Sequence, residues 1–238
     1  MSAFAVTLTY GDTTIDFCVV RRKRRTMQIS VPPDMTVEVT APFDTSRDAI
    51  LERMKKRAQW ICRQLQFFGG FQPRTPARRY LAGETHLYLG RRYRLKVVWA
   101  AQPEIKIKRD AIEVHTSDPH SNRVTRFQLD AWFKQRAHER FRSRLELCLA
   151  RFPKPERFRP RTLIIRQLRR RWGSMTPAGR LVLNRSLLQA SVHEIDYVIT
   201  HELCHRAFYH HGKRFYDLLE QVMPDWEHRK AALERRLA

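Results

Sequence analysis

Cysteine is scarce in this chain: four occur in 238 residues, at Cys18, Cys62, Cys148 and Cys204. They lie far apart and form no C-x-x-C pair, which excludes a zinc ribbon and a secreted disulfide framework. Long apolar runs are missing too. No stretch approaches the roughly 18–20 residues that a membrane span needs. The opening "MSAFAVTLTYGDTT" lacks a basic n-region and a sustained apolar h-region, so no secretory signal is expected. Neither an internal repeat nor a low-complexity segment is legible. Negative charge is in short supply: 24 Asp and Glu stand against 46 Lys and Arg, a formal net charge of +22. The expectation is a soluble, cytoplasmic, strongly basic protein. Such an excess favours anionic partners (nucleic acid, nucleotides or an acidic surface), although a solvated, repulsive face accounts for it equally.

What is present is enough to fold. Hydrophobic residues make up 42% and aromatics 11% of the chain, and the length suffices for a real core. Short β-rich runs fill the first forty residues: "FAVTLTY", a Gly11-Asp12 turn, "TIDFCVV", "TMQISV", Pro32-Pro33-Asp34 and "TVEVTA". They read as a hairpin-rich sheet. From Ser46 to about Phe68 the period becomes helical, on Ile50, Met54, Trp60, Ile61, Leu65 and Phe68, with Gly69-Gly70 as the stop. Residues 84–115 return to strands. A long helix over about Asn122–Phe152 follows, closed by Pro153 and Pro155. Strand-like "RTLIIRQL" and "GRLVLN" then flank "RRRWGSMTPA", a hairpin-like connection. The basic clusters Arg21–Arg25 and Arg169–Arg171 fall in connections. The fold class is α+β, with a β-rich region over 1–120 and a helical, catalytic region over 121–238.

The chemistry concentrates in "THELCHRAFYHHG", Thr200 to Gly212. A capping-box pattern, Ser191-x-x-Glu194, opens a helix whose buried stripe is Ile195, Val198, Ile199 and Leu203. His201 and His205 lie one turn apart, about 40° from each other around the axis. Both imidazoles can reach one ion, while Glu202 is offset and can act on a zinc-bound water without being a ligand. A catalytic zinc site needs a third protein ligand. On a continuing helix neither His210 nor His211 reaches the pair, so the helix must end near Tyr209, with Gly212 as the turn residue. Spacing leaves His210, His211 and Glu220 open. Cys204 reads as a small core residue.

Beyond that helix, "RWGS" (Arg171–Ser174), "LVLN" (Leu181–Asn184), "IDYVITHELCH" (Ile195–His205) and "RFYDLLEQVMPDW" (Arg214–Trp226) resemble the YgjP-like family of zinc metallopeptidase-type proteins. That family is related to the SprT and WLM groups of the zincin clan. The likeness extends upstream through "RRKRRTMQISV" and "YLGRRYRL", which implies one continuous domain with a zincin-like core. The family's spacing of five residues between the motif and a further histidine implies His211, and not His210, as third ligand. Two departures stand out. Met175 occupies a position where relatives carry cysteine, and Arg185-Ser186 one where they carry Trp-Arg.

The resemblance implies a metallopeptidase that uses zinc on His201, His205 and His211 with Glu202 as general base. Gly173 and Ser174 are candidates for positioning substrate through their backbone, with Arg171 beside them; a tight turn is the plainer reading of the pair. Two rivals remain. Arg169, Arg170, Arg171, Arg180, Arg185 and Arg206 flank the motif and suit hydrolysis of a nucleoside triphosphate at a phosphoanhydride. The basic excess suits a nucleic-acid-associated module, with Tyr80, Tyr88, Tyr93 and Trp99 interleaved among cations.

Overall fold

Strict alternation of buried and exposed positions builds the first sheet. In β2 (Thr13–Arg21), Ile15, Phe17 and Val19 point inward. β2 forms a hairpin with β1 (Ala3–Tyr10), and β4 (Val37–Ala41) lies parallel to β2 on its other side. β3 (Gln28–Ser30) adds antiparallel to β4, giving the order β1-β2-β4-β3. The expected hairpin-rich sheet therefore contains one parallel pairing. Its apolar face is covered by α1 (Arg47–Gly69), whose Ile50, Met54, Ala58 and Ile61 recur at helical spacing and are fully buried. Ser46 caps that helix by accepting from the Ala49 amide at 3.2 Å.

The computed structural model describes residues 3–32, 34–69, 78–168 and 171–237. Pro33, Gly70, Arg169 and Arg170 lie outside them. The chain divides into two compact units, Met1–Thr75 and Pro76–Leu237. The 120/121 position expected from the order of strands and helices lies within the second unit, where the strands before it share a core with the helices after it. Tyr88, Leu95, Ile112 and Val114 pack in one cluster with Leu129, Trp132 and Phe141, and with Leu181 and Ile195.

That second unit starts with β5 (Thr85–Tyr88), β6 (Arg91–Trp99), β7 (Glu104–Lys108) and β8 (Ala111–Thr116), followed by α2 (Asn122–Leu149). The order β5-β6-β8-β7, with β6 and β8 parallel and the other pairs antiparallel, repeats the topology of the first sheet strand for strand. In both cases a helix follows. The sequence shows no repeat because a core position demands only an apolar side chain of suitable size, which many residues satisfy.

A third sheet joins β9 (Thr162–Arg166), β10 (Gly173–Met175) and β11 (Arg180–Asn184) in the order β10-β11-β9. Around it lie the short α3 (Pro155–Phe158), α4 (Val192–Cys204), α5 (Lys213–Val222) and α6 (Trp226–Leu237). The class is α+β, as expected. No helix among the described residues is long and apolar enough to cross a membrane.

α4 is fastened by charge as well as by apolar contact. Asp196 is fully buried. Its carboxylate accepts from both arms of Arg144, the Nε bond measuring 2.7 Å, and from Arg151 at 3.2 Å, while Arg229 of α6 stands at 3.8 Å. Removing the carboxylate leaves three guanidinium groups crowded together. Because these are partly solvated, Asp196→Ala is expected to cost about 2–4 kcal/mol of unfolding free energy. Urea denaturation measures this; a change within about 0.5 kcal/mol would contradict the clamp.

A buried imidazole adds a pH dependence. His86 is inaccessible to solvent, and its Nδ1 accepts from Arg78 at 2.7 Å. Burial, reinforced by the Arg78 charge, pushes its pKa down to about 4. An unfolded histidine titrates near 6.5. Between these values the unfolded chain binds more protons, so the contribution is whole above about pH 6.5 and lost as pH falls towards 4. From pH 7 to 4, the wild type should lose up to about 3 kcal/mol more stability than His86→Phe. Parallel stability curves for the two proteins would contradict this.

Candidate metal centre

The site begins with the start of α4. Ser191 Oγ accepts from the Glu194 amide, and the Glu194 carboxylate accepts from the Ser191 amide at 2.8 Å, closing the capping box. Arg236 of α6 also donates to Glu194, at 2.9 Å. Gly90 lets the neighbouring turn come this close. It sits at φ +81, and a Cβ there would lie 2.9 Å from the Ser191 Cβ.

α4 stops at Cys204, earlier than the position near Tyr209 expected from spacing, and His205 is its C-cap. The chain then turns through residues 205–207, where the amides of Ala207 and Phe208 both donate to the Cys204 carbonyl at 3.0 Å. Gly212 is not a left-handed turn residue. Its φ of −89 and ψ of −179 are extended, and it serves as N-cap of α5.

This reversal carries His211 back over the helical pair. Ligand nitrogens of His201, His205 and His211 all lie within 4.8 Å of one another. His211 Nε2 stands 3.0 Å from His201 Nε2. Nitrogens bound to one tetrahedral zinc at about 2.0–2.1 Å are about 3.3 Å apart, so the residues fit such an ion. The His205 Nδ1 is 3.0 Å from the Phe208 carbonyl. A carbonyl only accepts, so Nδ1 carries the proton and Nε2 keeps its lone pair for a metal. Burial and the neighbouring imidazoles push the His201 pKa down to about 3, which holds the ring in its neutral, ligating form. Fully buried Phe215 forms the floor, its ring 4.7–5.0 Å from all three imidazoles, centre to centre.

Glu202 turns from this cluster towards β10. It is buried, and desolvation pushes its pKa up to about 7 against opposing pulls from the Met175 amide and the Arg171 charge. The contact is tight. A Cβ on Gly173 would lie 2.8 Å from the Glu202 Cγ, so only glycine lets the strand backbone pass at this distance. Backbone bonds of Trp172 and Thr176 run to β11, at 2.8 Å to Asn184 and 3.0 Å to Arg180. Alternation turns the backbone of Ser174 to β11 as well, and that of Gly173 and Met175 to the edge that carries no strand among the described residues. Arg171 is held in place by Asn184, which is buried and donates to the carbonyls of both Leu168 and Arg171 at 3.0 Å.

Other candidates lie elsewhere. His210 is exposed and outside the cluster. Glu220 accepts from the Trp226 indole at 2.7 Å. Cys204 is a core residue whose thiol burial pushes up to about 12. Arg185 leans on Asp130 at 3.4 Å, and Arg206 packs over the turn at Gly179. No site role for Phe215, Met175 or Asn184 is legible from spacing. Phe215 left one signal, an aromatic at the third position of the helix after the last histidine.

The YgjP-like, metallopeptidase domain family matches the chain over residues 25–236. No curated protein and no solved structure matches it.

A triad that could hold one ion leads to the expectation of about one zinc per chain. His201→Ala, His205→Ala and His211→Ala should each lose the ion, and His210→Ala should keep it. Elemental analysis of the purified variants decides; zinc retained by His211→Ala and lost by His210→Ala would reverse the assignment.

Proposed function

The chain belongs to the YgjP-like family, and we propose that it is a zinc-dependent metallopeptidase with a zincin-like core. In this reading His201, His205 and His211 hold the ion, and Glu202 is the general base. The observation that carries it is a buried carboxylate lodged between a histidine triad and a free strand edge. When bound, zinc supplies a Lewis acid that polarises the scissile carbonyl and acidifies water.

The protein's own groups do the rest. With its pKa near neutrality, Glu202 can take a proton from the attacking water and pass it to the departing amine nitrogen. Its burial excludes bulk water from that exchange. The Met175 amide orients the carboxylate, and together with the Arg171 charge it keeps part of it ionised. Phe215 fixes the three imidazoles from below.

The free edge of β10 supports a peptide over a nucleotide. Gly173 offers its amide and carbonyl, and Met175 its carbonyl, where an extended chain can add as a further strand. Ser174 is turned away and contributes no backbone group to that pairing. Of the arginines that suit a phosphoanhydride, Arg185 turns towards Asp130, Arg206 packs over the Gly179 turn, and Arg171 lies beside Glu202. A cytoplasmic location belongs to the same proposal, supported by four unpaired cysteines.

With zinc-loaded protein, a peptide panel and nucleoside triphosphates separate the two chemistries. Glu202→Gln should keep its zinc and lose about 10²–10⁴-fold in turnover. Arg185→Ala with Arg206→Ala should leave peptide cleavage within a few-fold. Pyrophosphate release that depends on both Glu202 and these arginines, with no peptide cut, would replace the peptidase by the nucleotide hydrolase.

A further inference from the structure

In the first unit, a groove runs between α1 and the edge strand β3. It is a cavity of about 230 Å³ lined by Met27, Ile29, Arg53, Arg57 and Trp60. Residues 53, 57 and 60 are spaced four and three apart, so one helix face presents two guanidinium groups and an indole together. Trp60 is 38% exposed, unusual for the largest apolar side chain of a helix that otherwise buries its apolar residues well. Arg53 and Arg57 are exposed and make no hydrogen bond or ion pair among the described residues. Among the described residues no carboxylate lines the cavity, and the nearby Glu52 is taken by Lys56 at 2.6 Å. Exposed Arg22, Lys23 and Arg25 lie on the connection that leads into β3.

The repeated topology supplies an internal control. The corresponding groove of the second unit lies between α2 and the edge strand β7 and also carries two arginines four apart, Arg136 and Arg140. There the charge is answered from within: Lys106 pairs with Glu104, Lys108 with Glu113 and Arg136 with Glu139, at 2.7–3.0 Å. Its aromatic, Tyr88, is buried. One architecture thus appears twice: among the described residues the first copy keeps two unpaired arginines around an exposed ring, and the second keeps one, Arg140, around a buried ring.

We propose that the α1–β3 groove binds single-stranded nucleic acid, with one base stacked on Trp60 and the flanking phosphates held by Arg53 and Arg57. Stacking needs a base with a free face, which a duplex does not offer. A groove bounded by one helix and one short strand has room for a base and not for a double helix. An acidic peptide would use the arginines but has no need of the indole. The proposal is independent of the hydrolytic chemistry of the second unit.

The test is fluorescence anisotropy of a labelled oligodeoxythymidine with the full chain, starting at about 50 mM salt. Trp60→Ala should weaken binding about tenfold with an unchanged salt slope, and Trp60→Phe should restore most of it. Arg53→Ala with Arg57→Ala should flatten the log–log salt slope by about 1.4, two phosphates at about 0.7 each. Arg136→Ala with Arg140→Ala removes the same charge from a groove without phosphate contacts, and should change affinity less than about twofold. Equal losses from the two arginine pairs would show a general field effect and overturn the proposal. So would a duplex of the same length competing equally, polyglutamate competing with the same Trp60 dependence, or no binding at low salt.

Discussion

Everything at the candidate centre depends on holding one helix still. α4 and its C-cap carry His201, Glu202 and His205 within five residues, so any rotation of the helix moves all three together. The helical period distributes its tasks. His201 and His205 share a stripe, Glu202 stands about 60–100° to one side facing β10, and Asp196 lies on the far side. Asp196 is gripped from α2 and α6, and Glu194 ties the first turn to Arg236. The basic excess thus has a structural share. Several arginines neutralise carboxylates that α4 has taken out of water.

The same burial tunes the chemistry. A carboxylate enclosed by protein is pushed towards its neutral form, while one amide and one guanidinium pull it back. The balance leaves Glu202 near neutral pH, where a group can both accept and return a proton. Gly173 makes this possible without a charge of its own, since any side chain there would displace the carboxylate. His201 is kept neutral by the same means, and neutral nitrogen is what a metal requires.

Local features were legible in the sequence and long-range ones were not. The capping box, the His201–His205 pair and the buried stripe of α4 follow from spacing within one helix, and all appear as read. The choice of His211 came from family resemblance, because spacing could not say where the helix ends. It ends at Cys204, earlier than expected, and Gly212 opens the next helix instead of closing this one. Parallel pairing of β2 with β4 and of β6 with β8 has no sequence mark. Nor do the contacts of Asp196 with Arg144, or of Gly173 with Glu202, which join residues far apart in the chain. The twofold topology escaped for a related reason: an apolar position records burial, not pairing order.

The most direct measurement is X-ray absorption at the zinc edge of the reconstituted protein. Three imidazole nitrogens and one further light atom at about 2.0–2.1 Å are predicted, falling to two imidazoles at most in any ion retained by His211→Ala. Sulfur scattering near about 2.3 Å, or an imidazole count unchanged by that substitution, would contradict the triad.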